Sequence, residues 1–195
     1  MIELYLFLHP LDYKNAAMID EVMASLANQD KKYKFHLVPT INFQTINHFM
    51  SSLPKEYRTI DIRNQALKAC YDIALDFETL LTMSRSLAID YFKLITLAMK
   101  DYEYSQALRC EVFKQFHIDV RQFNHRRTLQ HLNHKIQRNQ QLMHQLHVTY
   151  TPSIVLYNFS CDEDIAILLD NAQDFCQLPH LLEGERLAQH IVNYM

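Results

Sequence analysis

The sequence predicts an α/β protein in which a strand-helix-strand unit and a later pair of strands are separated by a long helical segment. Three observations carry this prediction: a strand, a helix and a strand within the first 39 residues, apolar residues at helical spacing between residues 43 and 116, and two strand patterns after Pro152. The 195 residues, 49% of them hydrophobic, suffice for one domain with an insertion or for two small lobes.

The first 39 residues form the clearest unit. Ile2 to Leu8 is rich in strand-forming residues, and Pro10 ends the strand because it lacks a backbone donor. Asp12 is a predicted N-cap, and apolar residues recur at helical spacing after it. A second strand runs from Tyr33 to Val38 and ends at Pro39. This order predicts a parallel, right-handed βαβ unit.

The middle of the chain carries a predicted helical insertion. Apolar residues such as Leu67 and Cys70 recur there every three or four positions, which predicts three or four helices. No linker in this region is rich enough in Gly, Ser or Pro to separate independent domains. We therefore expect residues 43–118 to be inserted into one domain formed by residues 1–42 and 119–195.

The last third of the chain changes from helix to strand. A helix is predicted from Val120 to about His147, before Pro152 forces the chain to extend. Two strands, Ser153 to Phe159 and Ile165 to Leu169, are expected to be antiparallel neighbours. A final helix is predicted near Leu181 to Asn193, with its apolar residues spaced to cover the sheet.

Glycine usage excludes several classes of enzyme. The chain has one glycine, Gly184. Phosphate-binding loops need glycines so that backbone N–H groups can approach the phosphates, and the G-x-S-x-G nucleophile elbow needs them for its sharp turn. The sequence therefore contains no P-loop, no dinucleotide-binding fingerprint and no nucleophile elbow.

Charge and hydrophobicity limit the kinds of partner. A formal net charge of -3 produces no field that would draw the chain to nucleic acid or anionic lipid. The sequence shows no secretory leader pattern and no run near the roughly 18 apolar residues of a membrane span. We expect protein partners, no nucleic acid, no membrane and a cytoplasmic location.

The cysteines do not form a recognisable redox or zinc motif. Cys70, Cys110, Cys161 and Cys176 are too far apart for C-x-x-C or for paired zinc knuckles. A reduced cysteine packs as a small hydrophobic residue. We expect these four to be buried or incidental thiols.

Two distant segments resemble a known family. The first, Phe7-Leu8-His9-Pro10-Leu11-Asp12-Tyr13-Lys14-Asn15, resembles the F-x-x-P-x-C-x-x-C opening of a DsbA-like branch of the thioredoxin fold. The second, Val148-Thr149-Tyr150-Thr151-Pro152-Ser153, resembles the turn that enters the proline strand of the same branch. With the helical insertion, the likeness covers most of residues 2–159. It implies a thioredoxin-like fold with a large helical insertion.

The redox pair of that branch is missing from this chain. Asp12 and Asn15 stand where the family has its two cysteines, and a carboxylate cannot attack a disulfide. The resemblance also implies that the bond between Thr151 and Pro152 is cis and that backbone groups there meet an extended peptide. The candidate peptide-binding residues of this degenerate active site are Asp12, Tyr13, Asn15, Thr151 and Pro152. We expect no catalytic residue and no cofactor.

The resemblance suggests a function without thiol chemistry. The branch includes dithiol-disulfide isomerases of low-GC Gram-positive bacteria and YjbH-type adaptors, which present the Spx regulator to the ClpXP protease. The leading hypothesis is accordingly a redox-inactive protein-binding module, such as an adaptor or regulator in the Spx/ClpXP thiol-stress pathway. The chain lacks the His/Cys-rich N-terminal segment and the additional C-terminal region of some adaptors.

Two other functions remain open. One is an enzyme with a divergent site, either a thiol-disulfide isomerase or a kappa-class glutathione transferase-like protein. The latter would need a serine near the helix start, whereas this chain has no serine before Ser25 and its Asp12 would repel a thiolate. The other is a structural protein or a homodimer without a peptide ligand.

The predicted helix after Asp119 carries an unusual positive charge. Its cations include Arg126, Arg127, Lys135 and Arg138, which form a candidate surface for an acidic protein partner. Five of the 11 histidines lie on the same segment, but no H-E-x-x-H or C-x-x-C pattern completes a metal site. We therefore expect no metal.

Overall fold

The computed structural model describes residues 2–28, 32–99, 104–158, 166–183 and 191–192. The strands of these ranges are β1 (Ile2–Leu8), β2 (Tyr33–Pro39), β3 (Ser153–Asn158), β4 (Ala166–Leu169) and β5 (Ile191–Val192). The α-helices are α1 (Asn15–Ala27), α2 (Phe43–Ser52), α3 (Ile60–Leu81), α4 (Arg85–Ala98), α5 (Gln106–Gln115), α6 (Val120–Arg127), α7 (Gln130–Gln145), α8 (Ala172–Phe175) and α9 (Leu178–Glu183).

The strands form one mixed sheet with the order β2-β1-β3-β4-β5. β1 and β2 are parallel and are joined by α1, so the predicted βαβ unit is confirmed. β3 is antiparallel to both β1 and β4, which confirms the predicted antiparallel pair. The predicted ends of that pair, Phe159 and Ile165, lie outside the described residues.

β1 is the central element of the core because it is buried on both faces. Leu4, Leu6 and Leu8 are fully buried in the cluster that contains α1 and parts of α3, α4 and α5. Phe7, which points the other way, belongs to a separate cluster with Met143 and residues from β2 and β3. A strand covered on both faces needs apolar residues at nearly every position, which explains the sequence of β1.

The helices are fixed to one another by a second apolar cluster and by buried charges. Ile46 on α2, Cys70 on α3 and Leu132 on α7 pack together in that cluster. Asp76 on α3 is fully buried and pairs with Arg109 on α5 at 2.7 Å. This carboxylate also pairs with α6 and accepts a bond from α4, so four helices meet at one group.

The prediction of one long helix from Val120 to about His147 is wrong in one respect, because this segment forms two helices. α6 ends at Arg127 and α7 begins at Gln130. The break lets Phe123 of α6 pack edge-to-face against Phe113 of α5, with ring centroids 4.6 Å apart. It also lets Leu132 of α7 enter the cluster beside α2 and α3. One straight helix could not serve both contacts.

The predicted terminal helix is also corrected. Its start is found in α9, but Ile191–Val192 form a strand paired with β4. β-branched residues favour this extended conformation, and the pairing extends the sheet. The residues between α9 and β5 and the last three residues lie outside the described ranges.

Candidate degenerate active site

The candidate site lies at one edge of the sheet, where β1 and β2 end and β3 begins. The register pairs Phe7 with Ser153, so Pro152 lies beside the end of β1. Thr40, which follows β2, bonds the carbonyl of Leu8 through both its N–H, at 2.8 Å, and its hydroxyl, at 3.0 Å. The peptide bond between Thr151 and Pro152 is cis, as predicted.

The loop from His9 to Asn15 is held by its own hydrogen bonds. The carbonyl of His9 accepts a bond from the backbone N–H of Asp12 at 3.0 Å and one from Nδ2 of Asn15 at 2.8 Å. The carboxylate of Asp12 accepts from the N–H of Lys14 at 2.9 Å. These bonds fix the loop that the sequence resemblance predicts to be the site.

Asp12 does not cap the helix, so that prediction is wrong. α1 begins at Asn15, and Lys14 occupies the N-cap position without a side-chain capping bond. Asp12 instead closes the turn that precedes the helix, because its side chain bonds a backbone N–H only two residues away. The carboxylate is partly exposed at the edge of the loop.

Asn15 and Tyr13 have opposite surroundings. Asn15 is 2% exposed, and its side chain contributes the bond to the carbonyl of His9. Tyr13 is 43% exposed, with the ammonium of Lys14 6.0 Å from its ring centroid. Asn15 therefore stabilises the loop, whereas Tyr13 presents an aromatic surface to solvent.

A buried histidine, His9, and a buried cysteine, Cys70, meet at this loop, although neither is among the predicted site residues. Nδ1 of His9 accepts from the N–H of Leu11 at 3.3 Å, and Nε2 lies 3.7 Å from Sγ of Cys70. Burial, assisted by the charge of His48, lowers the pKa of His9 to about 4. His9 is therefore neutral near pH 7, with its proton on Nε2 facing the sulfur.

Cys70 is a poor candidate for a nucleophile. It has no exposed surface, and burial raises the pKa of its thiol. A nucleophilic cysteine needs both access and thiolate character. For this residue the predicted buried thiol is confirmed, whereas Cys110 and Cys176 are exposed free thiols. Cys161 lies outside the described residues.

An apolar groove of about 310 Å³ begins at the site loop. Leu11 of the loop forms one end, and Phe49 of α2 stacks on the ring of His9 with centroids 5.4 Å apart. The remaining lining residues come from the segment after α2, from α3 and from the region between α4 and α5: Leu53, Tyr57, Ile62, Gln65, Ala66, Ala69, Met99 and Tyr104. The groove is therefore built mostly by the helical segment.

The second half of the candidate site lies next to α2. Thr151 and Pro152 are both partly exposed. Tyr150 is 54% exposed, and its ring lies 6.3 Å, centroid to centroid, from that of His48 on α2. Ser153 closes the turn by donating its hydroxyl to the carbonyl of Tyr150 at 2.8 Å. Exposed aromatic rings thus lie on both halves of the site.

The predicted basic surface is largely engaged in contacts within the chain. Arg126 donates to the carbonyl and the hydroxyl of Thr82, at 3.1 and 3.3 Å. Arg127 pairs with Asp72 and Asp76, and Lys135 pairs with Glu78 at 2.6 Å. Arg138 is exposed on α7. Whether these cations meet a partner stays a prediction.

The described ranges contain neither a metal-binding cluster nor a membrane-spanning helix. There, no three side chains among His, Cys, Asp and Glu are grouped closely enough to hold a metal ion. Within those same ranges, no helix combines the length and the apolar character needed to cross a bilayer.

The family follows from a match over most of the chain. Residues 5–178 match the family model described as thioredoxin, so the chain belongs to this thioredoxin family. No curated protein matches the chain.

Solved structures with DsbA-like folds are similar to this chain at low identity. A candidate protein disulfide isomerase from Nitrosomonas europaea has a TM-score of 0.63 and 10% identity, over 94% of this chain and 99% of that one. Oxidoreductase DsbA from Xylella fastidiosa has a TM-score of 0.61 and 12% identity, over 93% and 84%. Cytosolic disulfide reductase DsbM from Pseudomonas aeruginosa has a TM-score of 0.60 and 13% identity, over 93% and 97%. These likenesses confirm the thioredoxin-like, DsbA-like fold.

Proposed function

We propose that this chain is a redox-inactive thioredoxin-fold module that binds a segment of a protein partner. The observation that carries the proposal combines two features of one loop. Asp12 and Asn15 stand at the two cysteine positions of the resembling family, and Leu11, next to Asp12, lines an apolar groove. The thiols are replaced, while a surface suited to a polypeptide is present.

The chemistry of the site supports binding without thiol-disulfide exchange. Exchange requires an accessible thiolate that attacks a disulfide sulfur. Asn15 is tied to the carbonyl of His9, and the thiol nearest to this loop that the structure describes, Cys70, is buried with a raised pKa. The isomerase alternative would depend on this unfavourable thiol.

The shape of the site favours an extended apolar segment as ligand. Thr151 and Pro152 lie at the end of a strand, where an extended chain can form backbone hydrogen bonds. Tyr57 exposes aromatic surface in the groove and Tyr13 does so on the loop that carries Leu11, and aromatic residues are frequent anchors in protein interfaces. We infer that apolar side chains of the partner enter the groove.

The specific role that we propose is that of a bacterial, cytoplasmic adaptor or regulator of the Spx/ClpXP type. The support for it is the resemblance of the site loop to the YjbH-containing branch. An adaptor works through binding surfaces, so the loss of both cysteines is compatible with this role.

Enzyme assays test the absence of thiol chemistry. The purified protein should neither reduce insulin nor refold scrambled ribonuclease, because both sulfurs of the site are replaced. Turnover that is abolished by Cys70→Ser but retained in Cys176→Ser would overturn this proposal and establish a divergent oxidoreductase.

Site-specific crosslinking tests the binding surface. We expect p-benzoyl-phenylalanine at the position of Tyr13 or Tyr57 to crosslink to purified Spx, and the same group at exposed Lys68 on α3 to give none. Crosslinks to ClpX instead would assign the groove to the protease. Equal crosslinking from all three positions, or none with either protein, would contradict the proposed adaptor role.

A further inference from the structure

A second cavity, of about 280 Å³, lies away from the degenerate site, along β2. β2 is the first strand of the sheet order, so its outer edge has no strand neighbour among the residues that the structure describes. Side chains of α3, α4 and α7 complete the walls. The apolar part of the lining consists of Phe35, Leu37, Val38, Phe77, Leu81, Ile89 and Leu142, together with the ring of Tyr5.

Three cations line this cavity, and one of them has no ion-pair partner among the residues that the structure describes. Lys135 pairs with Glu78 at 2.6 Å, and Lys34 pairs with Glu3 at 3.1 Å. Arg85 also lines the cavity, but it forms no ion pair with any residue that the structure describes. One of its Nη atoms donates to the carbonyl of Phe35, and a guanidinium has five N–H donors.

His36 also lines this cavity, and one of its ring nitrogens is buried without a hydrogen bond. Nε2 of His36 is inaccessible to solvent and has no hydrogen-bond partner among the described residues. The ring is held by stacking on Tyr5, with centroids 4.5 Å apart and planes 8° from parallel. Buried polar atoms are normally bonded, so an unbonded one that lines a cavity indicates a place for a ligand atom.

We propose that this cavity binds a small carboxylate with an apolar body. The carboxylate would accept hydrogen bonds from the exposed guanidinium of Arg85 and from Nε2–H of His36, which gives Arg85 an ion-pair partner and Nε2 a hydrogen bond. The apolar body would lie against Phe77, Leu81 and Leu142. The Glu78 carboxylate in the wall does not prevent this, because Nδ2 of Asn139 donates to its Oε1 and the ammonium of Lys135 neutralises its charge at 2.6 Å from Oε2, although Oε2, like Nε2 of His36, is buried without a hydrogen bond.

The electrostatic surroundings of His36 favour an anion. Burial lowers the pKa of this imidazole, and the charges of Lys34, Arg85 and Lys135 lower it further, whereas Glu3 raises it. Of these three cations, Lys34 and Lys135 are paired with Glu3 and Glu78, so Arg85 is the one that an added anion would meet. The volume is near the lower end of the roughly 300–1,000 Å³ of ligand pockets, which favours a small molecule.

Calorimetric titration of the full chain tests this site. The probes are 3-phenylpropionate and the uncharged 3-phenylpropionamide, which has nearly the same shape. We expect saturable binding of the carboxylate and at least tenfold weaker binding of the amide, since the amide lacks the charge. Equal binding of the two probes, or no saturable binding of the carboxylate, would overturn the proposal. The proposal would also be overturned if equimolar inorganic phosphate abolished the binding of 3-phenylpropionate, because phosphate has no apolar body.

Three variants locate the binding. Arg85→Gln and His36→Phe should each weaken 3-phenylpropionate binding at least tenfold, while Lys68→Gln, an exposed change on α3, should leave it unchanged. Circular dichroism verifies that each variant folds. If one does not fold, Ile89→Phe takes its place, because it fills the cavity without removing a polar group and should also weaken binding. Undiminished binding in the folded variants would contradict the site.

Discussion

His9 is the residue that holds the loop of the candidate site. Its carbonyl accepts bonds from Asp12 and Asn15, and its ring accepts from Leu11. The same ring is buried and stacks on Phe49 at the groove. One neutral imidazole therefore supports both the loop and the wall of the groove, and a proton on it would enter an apolar environment.

We predict that this histidine makes the protein sensitive to mild acid. Its pKa falls from 6.5 to about 4 on folding, so the unfolded chain binds the proton first as the pH decreases. The free energy of unfolding should therefore fall by about 2–3 kcal/mol between pH 7 and pH 4.5 on account of this group. Urea unfolding at several pH values measures this loss.

Two substitutions separate this effect from general acid denaturation. His9→Gln retains an acceptor but does not titrate, so its pH profile should be flatter than that of the natural sequence. His131→Gln, at an exposed position of α7, should give the natural profile. Parallel profiles for His9→Gln and the natural chain would show that His9 does not cause the acid sensitivity.

At the scale of the elements, α6 has a different role from the one that its charge suggests. Arg127 at its end donates to Asp76 at 2.6 Å and to Asp72 at 2.8 Å, both on α3. Asp76 is fully buried, so its charge has to be compensated within the fold. Arg127 of α6 thus holds helices together, whereas Arg138 on α7 is exposed.

We predict that Arg127→Gln lowers the stability by about 1–3 kcal/mol, because Asp76 loses a charged donor but keeps Arg109. Arg138→Gln is the matched control and should change the stability by less than about 0.5 kcal/mol. If the basic surface docks an acidic partner, Arg138→Gln should instead slow association and weaken its dependence on salt. Equal losses of stability in the two variants would contradict the assignment of Arg127 to a structural role.

At the scale of the whole molecule, the sheet and the helical segment share one core. Leu6 of β1 and Ile19 of α1 lie in the same buried cluster as Phe92 of α4 and Phe113 of α5. The division into residues 1–42 and 119–195 on one side and 43–118 on the other remains a proposal about how the sequence is organised. The shared core implies that the two parts do not unfold separately.

We predict a single cooperative unfolding transition. Leu6→Ala in the sheet and Phe92→Ala in the helical segment should each cost about 2–5 kcal/mol and shift that transition as a whole. Far-ultraviolet circular dichroism and tyrosine fluorescence, followed in urea, should give coincident curves. Leu97→Ala, at a residue that is 48% exposed, is the control and should have a small effect. Two separate transitions would show that the parts are independent.

The elements that depend on neighbouring residues in the chain could be predicted from the sequence alone. The apolar run of β1, the proline that follows it and the helical spacing of α1 depend on neighbours in the chain, and so does the pattern that resembles the thioredoxin fold. The resemblance that predicts Asp12 and Asn15 at the two cysteine positions likewise rests on neighbouring residues in the sequence. These features needed no knowledge of packing.

The features that depend on residues far apart in the sequence could be seen only in the folded structure. The break between α6 and α7 follows from packing against α5 and α2, and β5 exists because β4 offers an edge to pair with. The contact of His9 with Cys70 joins residues 61 positions apart, and the unbonded nitrogen of His36 is defined by what surrounds it. Burial and hydrogen bonding between distant segments carry no local signal, because the chain brings those segments together only when it folds.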